Sequence, residues 1–369
     1  DGTAAGTIMV KDINTNFTGN MPRGSVPRLF CDVNGVLYFT AMSNAVGIDY
    51  AIWKSDGTAA GTVEVNNIQL GDAPTTAQRP SLLTSFGGSM YFVEMTDLYR
   101  VTNTGVTELV SDNIFPDALT VAGNHLFFTG RTFAQGDELW KTDGITTSLV
   151  KDIYPGTTQS NCRLLTKVGS TLFFTADDGT HGTELWKSDG TAAGTQLVKD
   201  VWPGANPNGA HIPSNLIGVN GMLYFKSGTA SRFELWKSDG TDAGTMLVSV
   251  IAPNTPNNTQ MQLINNNGVV YFNNNNKELW KSDGSAAGTV LIKQLNTCRL
   301  PAPVVASPGT MVFYGADENA ADLELWVSNG TSLTTLLLKN IKNDNPGSMY
   351  SNSAPNAGYI GAPFAHSNG

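Results

Sequence analysis

The chain has 369 residues, a net charge of -9 and 14% charged residues. An acidic surface repels phosphate backbones, so we expect no nucleic-acid partner, and no apolar run reaches the roughly 20 residues of a membrane-spanning helix. The 39 glycines and the many Asn, Thr and Ser residues favour a turn-rich all-β protein.

The predicted elements begin with an isolated strand at residues 7–13 (TIMVKDI). Seven repeats follow over residues 27–341, and a degenerate partial unit occupies residues 342–369. The motif that marks the repeats reads ELWKSDGTAAGT at residues 184–195 and returns, nearly unchanged, at 234–245 and 278–289. The spacing between copies is about 40 to 50 residues, the period of propeller blades and solenoid repeats.

One repeat, residues 157–201, shows the predicted order of its strands. A short strand at 164–168 precedes an aromatic-rich strand at 171–176, and the motif supplies a third strand at 184–187 and a fourth at 195–201. Four antiparallel strands in succession form one propeller blade. We therefore predict an all-β fold, a β-propeller of four-stranded antiparallel blades.

The second strand of each repeat is apolar on both faces, which predicts that it lies between two neighbouring blades. The tryptophan of the third strand is predicted to pack there as well, although a series of ligand-stacking aromatics is an alternative. These tryptophans are Trp53, Trp140, Trp186, Trp236, Trp280 and Trp326.

The second turn of most repeats carries an aspartate that can accept hydrogen bonds from the N–H groups of its own turn. One carboxylate per turn is fewer than the several oxygens of a calcium site, so we predict structural turns, no metal and no cofactor. These aspartates are Asp56, Asp143, Asp189, Asp239 and Asp283.

The two ends of the chain predict an eighth blade. The strand at 7–13, within an N-terminal strand and arm at 1–26, would combine with the tail at 342–369 and remove an exposed sheet edge. Seven blades plus an extra terminal strand is the alternative. The strand could also pair with the tail of the next molecule, so self-association through terminal strands stays open. The chain opens inside a repeat motif at Asp1, where we expect a processing site or a boundary.

These motifs resemble the bacterial ELWxxDGT repeat family, and the likeness covers nearly the whole chain. The resemblance implies a secreted or surface-exposed bacterial protein, so we expect an extracellular or cell-surface location. The Ser-Asp-Gly-Thr turn is also similar to the Asp-box hairpin of sialidase-type propellers, where the box is a folding element. Neither likeness carries a catalytic residue over to this chain.

A candidate binding patch lies among the variable loops at one end of the predicted blades. Trp202 stands outside the repeat register, in the crossing between two repeats, and a tryptophan face with carboxylate and amide neighbours suits a sugar ring. The alternative is a tryptophan that packs over a blade joint. The candidate ligand-binding residues are Trp202, His211, Asp177, Asp178, His181 and Asn206.

The expected function is that of a non-enzymatic adhesin or binding scaffold for glycans or proteins. One alternative is a structural subunit of an extracellular filament or surface layer assembled by strand exchange. A second is a propeller hydrolase or lyase. The sequence contains no nucleophile elbow, no HExxH motif and no phosphate loop, so we predict no catalytic residue.

Overall fold

The structure is a computed structural model. It describes residues 3–15, 17–18, 21–22, 24–42, 50–65, 80–203, 211–229, 232–251, 262–274, 276–300, 305–307, 309–316 and 324–339.

A short hairpin and four sheets occupy the first part of the chain, and in each sheet neighbours in sequence are neighbours in space. The hairpin pairs β1 (Phe17–Thr18) with β2 (Met21–Pro22). Sheet 1 contains β3 (Arg28–Val33), β4 (Val36–Met42), β5 (Tyr50–Ser55) and β6 (Val63–Glu64). Sheet 2 contains β7 (Ser81–Phe86), β8 (Ser89–Glu94), β9 (Asp97–Val101) and β10 (Thr107–Ser111). Sheet 3 contains β11 (Asp117–Ala122), β12 (His125–Thr132), β13 (Gly136–Thr142) and β14 (Thr147–Lys151). Sheet 4 contains β15 (Arg163–Val168), β16 (Thr171–Asp177), β17 (Thr183–Ser188) and β18 (Gln196–Lys199).

Three more sheets follow in the same order. Sheet 5 contains β19 (Ser214–Val219), β20 (Met222–Thr229), β21 (Arg232–Ser238) and β22 (Met246–Ile251). Sheet 6 contains β23 (Leu263–Asn266), β24 (Val269–Asn274), β25 (Glu278–Ser282) and β26 (Val290–Gln294). Sheet 7 contains β27 (Thr297–Arg299), β28 (Val305–Ser307), β29 (Thr310–Ala316), β30 (Glu324–Ser328) and β31 (Leu336–Lys339), and β27 and β28 both pair with β29.

The repeated four-stranded antiparallel sheet confirms the predicted all-β propeller fold. A single 3₁₀ turn, Ser332–Thr334, is the helical element of the described residues, none of which form a helix that could cross a membrane. The predicted eighth blade depends on residues 342–369, which lie outside the described residues, so the blade count stays a prediction.

The chain divides into two compact units. Unit 1 comprises Asp1–Leu165, Ala176–Gly179 and Ser188–Thr195, and unit 2 comprises Thr166–Thr175, Thr180–Lys187 and Gln196–Gly369. Sheets 1 to 3 belong to unit 1, sheets 5 to 7 belong to unit 2, and sheet 4 has residues in both.

The core of each unit lies between consecutive sheets, where apolar second strands meet. In unit 1, Phe92 of sheet 2 packs against the apolar face of sheet 1, and Phe128 of sheet 3 packs against sheet 2. In unit 2, Phe272 packs against sheet 5 and Phe313 packs against sheet 6. These phenylalanines are fully buried, because a strand between two sheets has no solvent-facing side.

The third-strand tryptophans occupy the same joints. Trp140 packs against the cluster around Tyr91 and Leu98 in unit 1, and Trp236 packs against the cluster around Phe173 in unit 2. Trp280 and Trp326 also pack in clusters between consecutive sheets of unit 2. Trp53 packs against Phe39 and Ile13, and Trp186 is buried.

In the fullest motif copies the second turn is a closed hydrogen-bond network, shown here for Asp189. The Asp189 Oδ1 atom accepts from the Thr191 N–H at 2.8 Å and from the Thr191 hydroxyl at 2.7 Å. The Thr191 Oγ1 atom in turn accepts from the Gly194 N–H at 2.9 Å. A Cβ on Gly194 would lie 2.1 Å from Asp189 Oδ1, so the motif requires glycine there. The turn therefore uses the side chains of Asp189 and Thr191 locally.

Lysines of the motif connect one sheet to the turn of the next. The Lys187 ammonium donates to the Gly240 carbonyl at 2.7 Å, and the Lys237 ammonium donates to the Gly284 carbonyl at 2.8 Å. In sheet 2, where the motif has decayed, Arg100 donates to the Gly144 carbonyl instead. The motif lysine thus links consecutive sheets through a hydrogen bond. The sequence by itself did not predict this role.

The first strand of several sheets carries a β-bulge that the sequence did not reveal. The register shifts after Arg28, Ser81, Asp117 and Ser214. The residues at the second position of these strands, and of β15, have positive φ values between 53° and 58° although none is glycine; they are Leu29, Leu82, Ala118, Leu164 and Asn215. Bulges turn side chains away from their regular face, so the ends of the sheets differ in shape from simple strand ends.

Replacement of Trp236 by alanine should cost about 3–5 kcal/mol of unfolding free energy, because it removes a ring from the joint between sheets. Chemical denaturation of the purified protein measures this loss. Phe133→Ala is the control, since Phe133 is 99% exposed and should change stability little. A Trp236→Ala cost below about 1 kcal/mol would place the ring outside the cooperative core.

Asp189→Ala should lower stability by about 1 kcal/mol through the lost turn bonds. Gly194→Ala should cost more, because its Cβ would collide with the Asp189 carboxylate.

The thermal midpoint of the native protein should be the same with calcium and with chelator. A calcium-dependent midpoint would contradict our expectation that these turns hold no metal.

Candidate functional site

An exposed aromatic pair lies in the crossing that follows sheet 4, within unit 2. The Trp202 indole stacks on the His211 imidazole with ring centroids 4.0 Å apart and planes inclined by 2°. Trp202 is 51% exposed whereas His211 is 7% exposed. One indole face is therefore covered by histidine, and half of the Trp202 surface remains open to solvent.

The backbone of sheet 5 holds His211 in place. The His211 N–H donates to the Gly228 carbonyl at 2.9 Å, and the His211 carbonyl accepts from the Ser227 hydroxyl at 2.7 Å. His211 has a φ of 61°, a left-handed conformation that is uncommon outside glycine. A buried imidazole fixed in this way restricts the orientation of the indole stacked on it.

A buried carboxylate anchors the other side of the crossing. Glu184, the first residue of the motif in β17, accepts from the Val201 N–H at 3.0 Å. Burial, together with the nearby Asp200 carboxylate, raises the pKa of Glu184 to about 7, although the Val201 and Trp202 N–H groups and His181 oppose the shift. Glu184, itself an ionisable group, thus links the backbone next to Trp202 to the third strand of sheet 4.

The structure brings together some of the predicted site residues. Trp202 and His211 are in direct contact, and His181 is close enough to Glu184 to affect its pKa. Asp177 and Asp178 belong to unit 1, where Asp177 Oδ1 accepts from the Gly179 N–H at 2.7 Å. Asn206 lies outside the described residues.

Sequence analysis missed the glutamate that begins each motif. Glu138, in sheet 3, is completely buried and accepts from the Ile153 N–H at 2.9 Å and the Tyr154 N–H at 3.2 Å. Glu278, in sheet 6, instead accepts from the indole N–H of Trp280 at 2.9 Å. The available signal was a Glu directly before Leu-Trp in five of the copies, since a buried carboxylate requires hydrogen-bond donors.

Metal ligands do not cluster in the part of the chain that the structure describes, where no three His, Cys, Asp or Glu side chains could hold an ion together. The three cysteines are free and buried. Burial raises the pKa of Cys162 and Cys298 to about 12, which keeps both thiols protonated at neutral pH.

Comparisons with known proteins agree with the fold. No family model matches the chain, and no curated protein matches it. The structure is similar to that of the computationally designed Ika8 protein, with a TM-score of 0.50, 14% identity, and coverage of 89% of this chain and 90% of that one. It is also similar to dipeptidyl peptidase 4 of Porphyromonas gingivalis, with a TM-score of 0.51 and 11% identity over 83% of this chain and 52% of that one. Identities this low show the fold alone.

Stability should depend on pH through the buried glutamates. Burial raises the pKa of Glu138 from 4.5 to about 7, so the unfolded chain loses this proton first as the pH rises. The unfolding free energy should therefore fall between about pH 4.5 and 7 and then level off. Denaturation of Glu138→Gln across this range should show a shallower slope. Glu64→Gln, at an exposed position, is the control. Equal slopes for wild type and Glu138→Gln would contradict the assignment.

Proposed function

We propose that this protein is a non-enzymatic binding scaffold or adhesin that acts outside the bacterial cell and recognises glycans through the Trp202–His211 pair. The observation that carries the proposal is a half-exposed indole held flat against a buried imidazole. Sugar rings bind aromatic faces through their C–H groups, and a ring whose orientation is already fixed loses little entropy on binding.

The repeat architecture supports a scaffold. The polar groups of the second turns are engaged in their own turn, as at Asp189 and Asp239, and the motif lysines bond to neighbouring turns. Sequence variation is concentrated in the crossings, such as the one that carries Trp202. Variable loops on a rigid frame are the usual place for binding residues. Membership of the ELWxxDGT repeat family and a cell-surface location are part of this proposal.

Trp202→Ala should abolish binding of the glycans that the aromatic pair recognises, measured on a glycan array and by titration calorimetry. Its thermal midpoint should stay close to that of the wild type, since stacking of one aromatic pair contributes only about 0.5–1.5 kcal/mol. Trp202→Phe should keep part of the affinity because it keeps an aromatic face. Phe133→Ala removes an exposed aromatic side chain in unit 1 and should bind normally. Undiminished binding by a folded Trp202→Ala variant would rule out this site.

A second candidate function, a structural subunit of an extracellular assembly, has one observation in its favour. The Lys11 ammonium donates to the Thr62 carbonyl at 2.7 Å, and Ile13 packs against Phe39 and Trp53 of sheet 1. Lys293 of β26 makes the matching bond to the Thr335 carbonyl in sheet 7. Residues 7–13 therefore contact sheet 1 in the way that the fourth strand of one sheet contacts the next sheet. Ile8 and Met9 in this segment are largely exposed.

Deletion of residues 1–13 distinguishes the two ways in which this segment could pair. If it pairs within its own chain, a monomeric protein should lose thermal stability on deletion. If it pairs between molecules, assemblies seen by electron microscopy should separate into folded monomers. A deletion that alters neither stability nor assembly would exclude both.

A further inference from the structure

A cavity of about 440 Å³ with a mixed polar and apolar lining lies in unit 1, at the end of sheet 3 where the crossing to β15 passes. Its wall comes from Phe115 and the start of β11, from the end of β12 and the start of β13, and from the end of the crossing and the start of β15. All of these residues belong to unit 1 and are separate from Trp202. The volume suits a small ligand of one to a few rings, since ligand pockets measure roughly 300–1,000 Å³.

A fixed guanidinium forms the polar side of this cavity. Arg131 donates from Nε to Asp137 Oδ1 at 2.5 Å and from Nη2 to Asp137 Oδ2 at 3.0 Å. The Asp137 carbonyl accepts from the Ser160 hydroxyl at 2.8 Å, which ties the hairpin to the crossing. Among the described residues, Asp137 is the acceptor of this guanidinium. Arginine has five N–H donors, so the Nη1 edge remains for a ligand.

Two exposed apolar side chains also line the cavity. Phe115 is 47% exposed and Leu164 is 44% exposed, and both have positive φ values, of 44° and 58°. Phe115 is held by a bond from its N–H to the Thr96 carbonyl at 2.9 Å. Bulky residues rarely adopt this conformation, and here both residues line the same cavity as Arg131. A ligand that fits must therefore combine an apolar face with an acceptor group.

The charge of the cavity selects among acceptors. Arg131 and Arg163 are balanced by Asp117 and Asp137 in the lining. The two aspartates repel a dianionic phosphate more strongly than a carboxylate, which carries a single charge. A planar carboxylate also matches the paired N–H groups of a guanidinium. The Asp117 carboxylate and the Thr129 hydroxyl can serve sugar hydroxyls.

We infer that this cavity binds a sugar that carries a carboxylate, with the carboxylate on Arg131 and the pyranose face on Phe115. The inference adds an acidic-sugar site to the proposed glycan binding, and it rests on different residues. Arg131 is a ligand-binding residue in this assignment, and Asp137 holds it in position.

Calorimetric titration with methyl glucuronide, methyl glucoside and inorganic phosphate tests the assignment on the full chain. Methyl glucuronide should bind saturably, and methyl glucoside should bind about tenfold more weakly because it lacks one charge-assisted interaction. Arg131→Lys keeps the charge but loses the fork, and should weaken glucuronide binding by about tenfold. Phe115→Ala should weaken both sugars, and it covers the case in which Arg131→Lys fails to fold. The Arg131 Nε–H resonance should shift on addition of glucuronide.

The control is Arg100→Lys, which alters another arginine–carboxylate pair of unit 1, with Glu108, and should leave binding unchanged. Trp202→Ala should also leave glucuronide binding unchanged. Loss of binding in Trp202→Ala would assign the sugar to the aromatic pair and overturn the cavity assignment. Equal affinity for glucuronide and glucoside, absence of saturable binding, or phosphate binding as tight as glucuronide would each overturn it too.

Discussion

Each sheet of this protein has a second strand that is apolar on both faces, and the fold depends on burying both of them. A single four-stranded meander cannot do so, because one face of an isolated sheet meets water. Consecutive sheets within a unit solve the problem by stacking, with Phe92, Phe128 and Phe272 in the joints. The tryptophan of the motif enlarges the same contact. The repeat is therefore a unit of sequence whose stability comes mainly from its neighbours.

The polar half of the motif serves this stacking. In the fullest copies, the Asp, Thr and Gly residues of the turn satisfy one another, which leaves outward-facing carbonyls at fixed positions. The lysine of the preceding sheet donates to one of those carbonyls. The motif glutamate lies at the opposite end of the third strand, where it accepts hydrogen bonds from N–H groups of the crossing. One short motif therefore determines the turn, the joint between sheets and the path of the chain to the next sheet.

Both proposed sites lie where the repeat leaves the chain free to vary. The Trp202–His211 pair and the Arg131 cavity each lie at a crossing, anchored by a motif glutamate or by a strand end. Left-handed residues occur at both places, His211 in one and Phe115 in the other. Irregular loops that are held in place by rigid strands are a common arrangement for ligand recognition. Sites of this kind can diverge in ligand without loss of the stacked core.

The sequence by itself determined the fold class, because motif spacing, turn residues and the two-faced second strand are local signals that a repeat multiplies. It also directed attention to Trp202, the tryptophan outside the repeat register. Only the tertiary structure decided which side chains meet. The stack on His211, the burial of Glu184 and the fork of Arg131 against Asp137 depend on bulges and crossings. These irregular segments have no periodicity, so spacing along the chain cannot predict the contacts that they make in space.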